Sequence, residues 1–183
     1  MIKIAGVDEA GRGSLAGSVV AAAVVFSKGQ NKQIYFDSKK LTPTRREELF
    51  TIILSESLAV GIGVASNVIV DEINVLQATF VAMRKALNRC RITPDIVLVD
   101  GNKTIPDILT GQKAVVKGDE KVPVISAASI IAKVVRDRIM LGYDKVYPQY
   151  FFSRHKGYGT KLHKSCIKNK GISPIHRISF RHK

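Results

Sequence analysis

The chain alternates short runs of consecutive apolar residues with longer segments in which apolar residues recur every three or four positions. Short apolar runs bounded by glycine, proline or polar residues are typical of buried β-strands. Five such runs predict strands: IKIAGVD at 2–8, GSVVAAAVVF at 17–26, LAVGIGVAS at 58–66, PDIVLVDG at 94–101 and QKAVVKGD at 112–119.

The longer segments predict helices. The first begins after Thr42, which is suited to cap a helix, and Pro43, which is suited to its first position. The second predicted helix presents one apolar face formed by Ile73, Leu76, Phe80, Met83 and Leu87. The third, VPVISAASIIAKVVRDRIMLGY, has small residues at 126–129 that would let it lie close against a sheet. After it, residues 151–171 predict a loop followed by a short basic helix.

The order of these elements is ββ-α-β-α-β-β-α-α. Strands that alternate with helices in this way predict an α/β fold, in which a sheet of mixed direction is covered by packed helices. A chain of 183 residues is expected to form one domain. The sequence shows no repeats, low-complexity tract or linker that would divide it further.

The charge distribution indicates a polyanionic partner. The chain has 29 Lys and Arg residues against 15 Asp and Glu, a formal net charge of +14. Residues 148–183 contain nine Lys and Arg and no acid, although such a tail could also be only a solvated end. Nucleic acid is therefore the favoured partner, and a membrane surface is disfavoured because the tail has little amphipathic apolar content.

The composition also limits where the protein is expected to act. The longest apolar run, LAGSVVAAAVVF, has 12 residues, fewer than the ~20 needed to cross a bilayer. The two cysteines, Cys90 and Cys166, form no CxxC pair, which favours a reduced, cytoplasmic setting. No secretory signal is recognised.

Acidic residues stand at the ends of three predicted strands. Asp8 and Glu9 follow the first, Asp100 ends the fourth and Asp119 ends the fifth, each near a glycine. If these strands are neighbours, four carboxylates converge and repel one another unless cations are present, and all-oxygen ligands suit Mg²⁺ or Mn²⁺. The alternatives are that Asp8 and Glu9 are solvated surface acids and that Asp100 and Asp119 only cap turns.

Two features of the first acidic pair limit this hypothesis. Successive strand residues point to opposite faces, so Asp8 and Glu9 can share a metal cluster only if the chain leaves regular strand geometry between them. The Gly11-Arg12-Gly13 stretch makes an early exit plausible. The same stretch fits a dinucleotide-binding G-x-G-x-x-A pattern with Ala16, but a strand follows it rather than the required helix.

An acidic metal site in a basic protein suits phosphodiester hydrolysis, in which two ions activate water and stabilise the leaving oxygen. The chain has no G-x-S-x-G, P-loop or HExxH pattern that would favour another chemistry. All four histidines lie in the basic tail without zinc-type spacing, and are interpreted as phosphate-facing or structural groups: His155, His163, His176 and His182.

Eight segments in this order resemble ribonuclease HII, the type 2 ribonuclease H, from Ile4 to Phe180. They are VDEAGRGSLAGSVV, DSKKL, INVLQATFVAM, VLVDG, VKGD, ISAASIIAKVVRD, HKGYGT and SPIHRISF. The resemblance implies a ribonuclease H-like core at 1–147 and a basic helical extension at 148–183 in the same compact unit. A monomer that acts in the cytoplasm is expected, with a role in ribonucleotide excision repair.

The resemblance implies an endonuclease that cleaves the RNA strand of RNA–DNA hybrids. It would also incise on the 5′ side of single ribonucleotides embedded in duplex DNA, by a two-metal reaction with Mg²⁺ or Mn²⁺ that leaves 3′-hydroxyl and 5′-phosphate ends. The implied catalytic and metal-binding residues are Asp8, Glu9, Asp100 and Asp119, with Glu120 and Asp137 as nearby alternatives for the fourth. The implied substrate-binding residues, which sense the ribose 2′-hydroxyl, are Gly11, Arg12, Gly13 and Tyr158.

Several roles stay open at the level of sequence. Arg12 is alternatively a charge partner of the carboxylates, Tyr158 an ordinary half-buried tyrosine, and Asp137 a salt-bridge partner on a helix. Basic residues that are expected to contact phosphates are Lys39, Lys156, Lys161, His163 and Lys164. The rival function classes are a non-catalytic RNA-binding module and another two-metal nuclease on the same fold, such as ribonuclease HIII or an integrase-like enzyme.

Overall fold

The computed structural model describes residues 1–29 and 41–180, so the expected phosphate contact of Lys39 lies outside the described residues. Five strands form one sheet in the order β3-β2-β1-β4-β5. The pairs β1–β2 and β2–β3 are antiparallel, and β1–β4 and β4–β5 are parallel, which confirms the predicted mixed sheet. The strands are β1 Lys3–Ala10, β2 Val19–Ser27, β3 Ala59–Ala65, β4 Ile96–Asp100 and β5 Gln112–Val115.

The helices follow the predicted order. The side chain of Thr42 accepts a hydrogen bond of 3.2 Å from the backbone N–H of Arg45, and Pro43 begins the first helix, as predicted. The helices are α1 Pro43–Glu56, α2 Asn67–Arg89, α3 Gly118–Lys121, α4 Pro123–Val146, α5 Phe152–His155 and α6 Lys161–Lys170, with a 3-10 turn at Pro148–Tyr150.

Helix α2 departs from the single straight face that its periodicity predicts. Asn74 adopts a non-helical conformation (φ 64°, ψ 162°), and its side-chain oxygen accepts hydrogen bonds from the N–H groups of Leu76 and Gln77. The carboxamide thus caps a second helical segment. Ile73 lies before this break and remains 38% exposed, whereas Phe80, beyond it, is buried.

Helices cover both faces of the sheet and so enclose its apolar strands. On one face α2 packs on alternate residues of β1 and β2, and on the other α4 and α1 pack on the intervening residues. The predicted close approach of α4 is confirmed: Ala127 and Ala128 are fully buried, and a Cβ at Gly6 of β1 would lie 2.2 Å from the carbonyl oxygen of Val124. β2 is buried along its whole length and pairs with β1 from Lys3 to Ala10.

The basic extension folds back onto the segment between β1 and β2. Ser14 forms an isolated antiparallel bridge with Tyr158, and Ala16 forms another with His176. The predicted short basic helix is confirmed as α6, although the preceding stretch also contains the short helix α5. In the described part of the chain no helix combines the length and apolar character needed to cross a membrane.

Candidate active site

The sheet brings the acidic residues to one edge. Val7 of β1 pairs with Val99 of the parallel strand β4, so Asp8 and Asp100 follow at the same level on adjacent strands. The N–H groups of Gly118 and Asp119 approach Asp100 Oδ1 at 2.7 and 3.4 Å, which places the start of α3 beside β4. Three segments that are distant in sequence therefore meet at this edge.

Two details of the predicted acidic ends are wrong. Asp119 does not end β5, which stops at Val115; it lies buried in the first turn of α3. The chain also does not leave strand geometry between Asp8 and Glu9, because β1 stays paired with β2 through Ala10. Asp8 consequently faces α4, where the Ser129 hydroxyl bonds to it, and Glu9 faces α2. The two carboxylates reach the edge from opposite faces, which is possible because β4 ends beside them.

Protein donors hold three of these carboxylates in place. Asp8 Oδ1 accepts a hydrogen bond of 2.7 Å from the N–H of Glu9, and Asp100 Oδ1 accepts the bond from Gly118. Glu9 Oε1 lies 3.3 Å from Arg12 Nη1 in an ion pair. The alternative interpretation of Arg12 as a charge partner of the carboxylates is thus confirmed for Glu9.

Burial and mutual repulsion weaken the acidity of the pair on β1. Burial raises the pKa of Asp8 well above its usual value, and the charges of Glu9 and Asp100 raise it further. Burial likewise raises the pKa of Glu9; the Arg12 guanidinium lowers it, and Asp100 and Asp119 raise it. The four carboxylates therefore interact electrostatically, and a cation between them would relieve the repulsion.

The donor set fits a hard divalent cation, since it consists of carboxylate oxygens under mutual repulsion. Glu9 and Asp100 line a cleft of about 110 Å³ together with Arg12 and Lys103, at the edge between the sheet and α2. Within residues 1–29 and 41–180, however, no three acidic, histidine or cysteine side chains are already gathered closely enough to form a metal-binding group. The metal-ligating roles accordingly stay predictions.

The two nearby acids have different surroundings. Asp137 on α4 pairs with Lys133 at 2.8 Å and with Arg46 at 3.7 Å, as expected of a salt-bridge partner on a helix. Glu120 is exposed on α3, next to the buried Asp119. Asp119, and not the adjacent Glu120, is among the charges that raise the pKa of Glu9.

Two buried arginines hold the segment between β1 and β2. Arg177 donates to the carbonyl oxygens of Gly11, Arg12 and Gly17, at 2.7 to 3.0 Å. Arg136 on α4 donates to three more carbonyl oxygens at 2.9 to 3.1 Å, those of Ala16, Ser18 and Lys156. The sequence analysis did not identify either arginine, because arginine is usually a surface residue. Only their positions in the motifs ISAASIIAKVVRD and SPIHRISF single them out.

The two glycines of the Gly11-Arg12-Gly13 turn differ in what the fold requires of them. Gly11 has φ +96°, and a Cβ there would lie 2.0 Å from Arg136 Nε. At Gly13 a Cβ would meet no heavy atom of the described residues within 4 Å. Packing therefore demands glycine at position 11 but leaves position 13 open to a ligand.

Tyr158 lies beside this turn. The backbone of Tyr158 forms a β-bridge with that of Ser14. The carbonyl oxygen of the adjacent Gly157 accepts a hydrogen bond of 2.8 Å from the N–H of Leu15. The half-buried ring lies under two cations, with Arg136 Cζ 5.1 Å and Lys133 Nζ 5.4 Å from the ring centre. The predicted substrate-binding residues of the turn and Tyr158 are thus brought together by the fold.

The basic groups of the extension separate into exposed and buried ones. Lys161 and Lys164 are exposed on α6 and are free to meet a polyanion. The expectation that His163 contacts phosphate is wrong, because its side chain is fully buried. Arg177 is also fully buried, so part of the positive charge of the tail serves the fold.

Comparison with known proteins identifies the relatives of this chain. The profile of the family described as Ribonuclease HII matches residues 5–183. Ribonuclease HII of Clostridioides difficile (strain 630) is 54% identical over 177 residues, which cover 97% of this chain and 69% of the relative. The crystal structure of ribonuclease H2 from Pyrococcus horikoshii OT3 matches with a TM-score of 0.82 and 30% identity, over 99% of this chain and 95% of that one. The crystal structure of Bst-RNase HIII in complex with Mn²⁺ shares the fold, with a TM-score of 0.77 at 16% identity over 99% of this chain and 68% of that one.

Proposed function

The chain belongs to the ribonuclease HII family of nucleases, which hydrolyse RNA in RNA–DNA hybrids, and we propose that it also incises DNA duplexes 5′ of single embedded ribonucleotides. The observation that carries this proposal is the position of the turn Gly11-Arg12-Gly13. It follows the acidic pair on β1 after one residue, Ala10, and Ser14, the residue next to it on the other side, bridges Tyr158. A group that reads the sugar thus adjoins a group that can support hydrolysis.

Four carboxylates would hold the divalent ions: Asp8, Glu9, Asp100 and Asp119. Mg²⁺ or Mn²⁺ held there would supply charge stabilisation and activation of water at the scissile phosphate. A structure of the same fold is of Bst-RNase HIII in complex with Mn²⁺, which favours this chemistry. Water would attack the phosphorus on the 5′ side of the ribonucleotide, so the products would carry a 3′-hydroxyl and a 5′-phosphate.

The turn and Tyr158 would discriminate ribose from deoxyribose through the 2′-hydroxyl, the one group by which the two sugars differ. Carbonyl oxygens of the turn are occupied by Arg177 on its inner side, which fixes the backbone for recognition. The open space at Gly13 would admit the sugar close to the backbone. Tyr158 would offer its ring to the sugar and its hydroxyl for a hydrogen bond.

The exposed lysines of α6 would bind phosphates and position the duplex without reading its sequence. Binding is then expected to weaken steeply with salt, since each neutralised phosphate releases a counterion. All of the named residues come from one chain, so we propose that a monomer suffices. We further propose that it acts in the cytoplasm in ribonucleotide excision repair.

The test is a cleavage assay on labelled duplexes that differ only in sugar content: all-DNA, one ribonucleotide, and an RNA–DNA hybrid. With Mg²⁺ or Mn²⁺ the one-ribonucleotide duplex should be nicked once, on the 5′ side, and the all-DNA duplex should stay intact. Cleavage of the hybrid alone would refute the incision of single ribonucleotides. Binding without cleavage of any duplex would instead support the rival class of a non-catalytic nucleic-acid-binding module.

A further inference from the structure

Three of the four histidines form a buried group, here called the histidine cluster, that the proposed chemistry does not use. The rings of His155 and His163 stack with 4.2 Å between their centres, and His163 Nε2 lies 3.0 Å from His176 Nε2. All three side chains are buried within the extension. They therefore serve the protein from inside rather than by touching substrate.

The bonding partners determine where each proton lies. The backbone N–H of Ser173 can only donate, and it bonds to His176 Nδ1 at 2.8 Å. A neutral His176 must then carry its proton on Nε2 and donate it to His163 Nε2. His163 in turn must carry its proton on Nδ1, which lies 3.0 Å from the carbonyl oxygen of Tyr158.

The other end of this series of hydrogen bonds, at Tyr158, gives the same assignment independently. The carbonyl oxygen of Tyr158 can only accept, so His163 Nδ1 must be the donor whatever the state of His176. This oxygen has two lone pairs, and the other bond comes from the N–H of Thr160 at 2.8 Å. The hydrogen bonds thus run in one direction, from Ser173 through His176 and His163 to Tyr158.

We infer that His176 and His163 form a neutral hydrogen-bond relay that fixes the backbone of Tyr158, and that His163 is thereby a positioning residue for ribose discrimination. The inference rests on the role proposed above for Tyr158. The ring of Tyr158 is set by its backbone on one side and by Arg136 and Lys133 on the other. Loss of the bond to its carbonyl would let the loop shift while the carboxylates stay in place.

The surroundings keep the relay neutral. Burial lowers the pKa of His163 to about 4, and the facing imidazoles of His155 and His176 add to this effect. Burial also lowers the pKa of His155, which Asp144 raises and Lys156 lowers. His155 has its own fixed bonds, since it accepts from the N–H of Gly157 and lies 2.8 Å from the Tyr150 carbonyl oxygen. At neutral pH every donor in the cluster therefore faces an acceptor.

The first test reads the protons directly. Two-bond ¹H–¹⁵N correlation spectra of the full chain at pH 7 should show neutral rings, with His163 protonated on Nδ1 and His176 on Nε2. The opposite tautomer of either ring, or a doubly protonated His163, would overturn the relay. This measurement does not depend on what Tyr158 does to substrate.

The second test compares variants on duplexes with and without one ribonucleotide. His163→Asn keeps an N–H donor near the Nδ1 position, whereas His163→Leu fills the space without one. His163→Leu should reduce the preference for the ribonucleotide by about tenfold, the effect of losing one well-placed hydrogen bond, and His163→Asn should restore most of it. Equal preferences in the two variants would overturn the positioning role.

A packing control separates loss of the relay from loss of stability. Phe152 contacts the rings of all three histidines, at 5.5 to 5.8 Å between ring centres, and takes no part in the relay. Phe152→Leu should lower the melting temperature and keep the ribonucleotide preference. If Tyr158→Ala leaves the preference unchanged, the proposed function of Tyr158 fails; if Tyr158→Ala abolishes it while His163→Leu does not, only the relay inference fails.

Discussion

The carboxylates at the sheet edge and the histidine cluster are both groups of like titratable side chains with buried members, yet they have opposite character. In the carboxylate group, burial and neighbouring charges raise the pKa values of Asp8 and Glu9, so the members oppose one another. In the histidine cluster the ring nitrogens of His155, His163 and His176 each meet a complementary partner, as between His163 and Tyr158. Proximity alone therefore does not identify a metal site; unrelieved repulsion between hard oxygen donors is the more informative feature.

The largest effect should come from the carboxylate group. Asp8→Asn removes a negative charge from the proposed ion site and should reduce cleavage by at least about 1000-fold, since metal-ion catalysis supplies several kcal/mol of transition-state stabilisation. Binding of the duplex should remain, because the lysines of α6 are unaffected. Cleavage and duplex binding are measured separately on the one-ribonucleotide substrate.

The matched control is Asp107→Asn, which changes an exposed acid paired with Arg84 and should leave cleavage unchanged. Asp8→Asn should also raise the free energy of unfolding in metal-free buffer, because it removes repulsion between buried carboxylates. If Asp8→Asn cleaved normally, or were clearly destabilised in metal-free buffer, the contrast between the carboxylates and the histidine cluster would be lost.

The turn between the two regions should respond next most strongly. Gly13→Ala should leave stability near that of the parent protein, because a Cβ there has space, but should lower ribonucleotide cleavage about tenfold or more by obstructing the sugar. Gly11→Ala should instead destabilise the fold, because its Cβ would collide with Arg136 and φ is +96°. Thermal melting and cleavage rates of both variants test this, and equal effects of the two on both quantities would contradict it.

Arg177 joins the turn to the extension, and its replacement should lower stability. Arg177→Lys keeps the charge but loses the planar set of donors to Gly11, Arg12 and Gly17, and should cost about 2 kcal/mol of unfolding free energy. Arg154→Lys, at an exposed position of α5, should cost less than about 0.5 kcal/mol. Denaturant unfolding measures both, and a similar loss for the two would show that the buried arginine does not hold the turn.

The histidine cluster should add a pH dependence that is absent at neutral pH and appears only in acid. The folded pKa of His163 is about 4 against an ordinary value of 6.5, so between these values the unfolded chain binds a proton that the folded chain does not. The contribution of His163 to stability is thus constant above about pH 6.5 and falls as the pH falls towards 4. The stability difference between the parent protein and His163→Asn should therefore shrink over this range, and a difference independent of pH would contradict the buried neutral state.

The family and the fold were predictable because local patterns carry them. Alternating apolar runs and helical periodicity predicted the five strands and the sheet of mixed direction, and both predictions are confirmed, as is the family resemblance. The cap at Thr42 was also predictable, since it depends on a few neighbouring residues. The break at Asn74 was not, because a single side chain that caps a new helical segment leaves the apolar periodicity unchanged.

The site was predictable only in part. The shared edge of Asp8 and Asp100 followed from strand-end positions, whereas the placement of Asp119 in α3 depends on how the chain turns after β5. The burial of His163 and Arg177 could not be foreseen, because their partners are backbone groups brought near by tertiary folding. The roles of the carboxylates in binding metal and of Tyr158 in reading ribose stay predictions.

The central claim is that carboxylates from three segments jointly hold divalent ions at the sheet edge. Its most direct test is an anomalous difference map from crystals of the full chain soaked in Mn²⁺. We expect Mn²⁺ peaks coordinated by Asp8, Glu9, Asp100 and Asp119, and no peak at the histidine cluster. Peaks bound only by histidines, or a map without Mn²⁺ between Asp8 and Asp100, would contradict it.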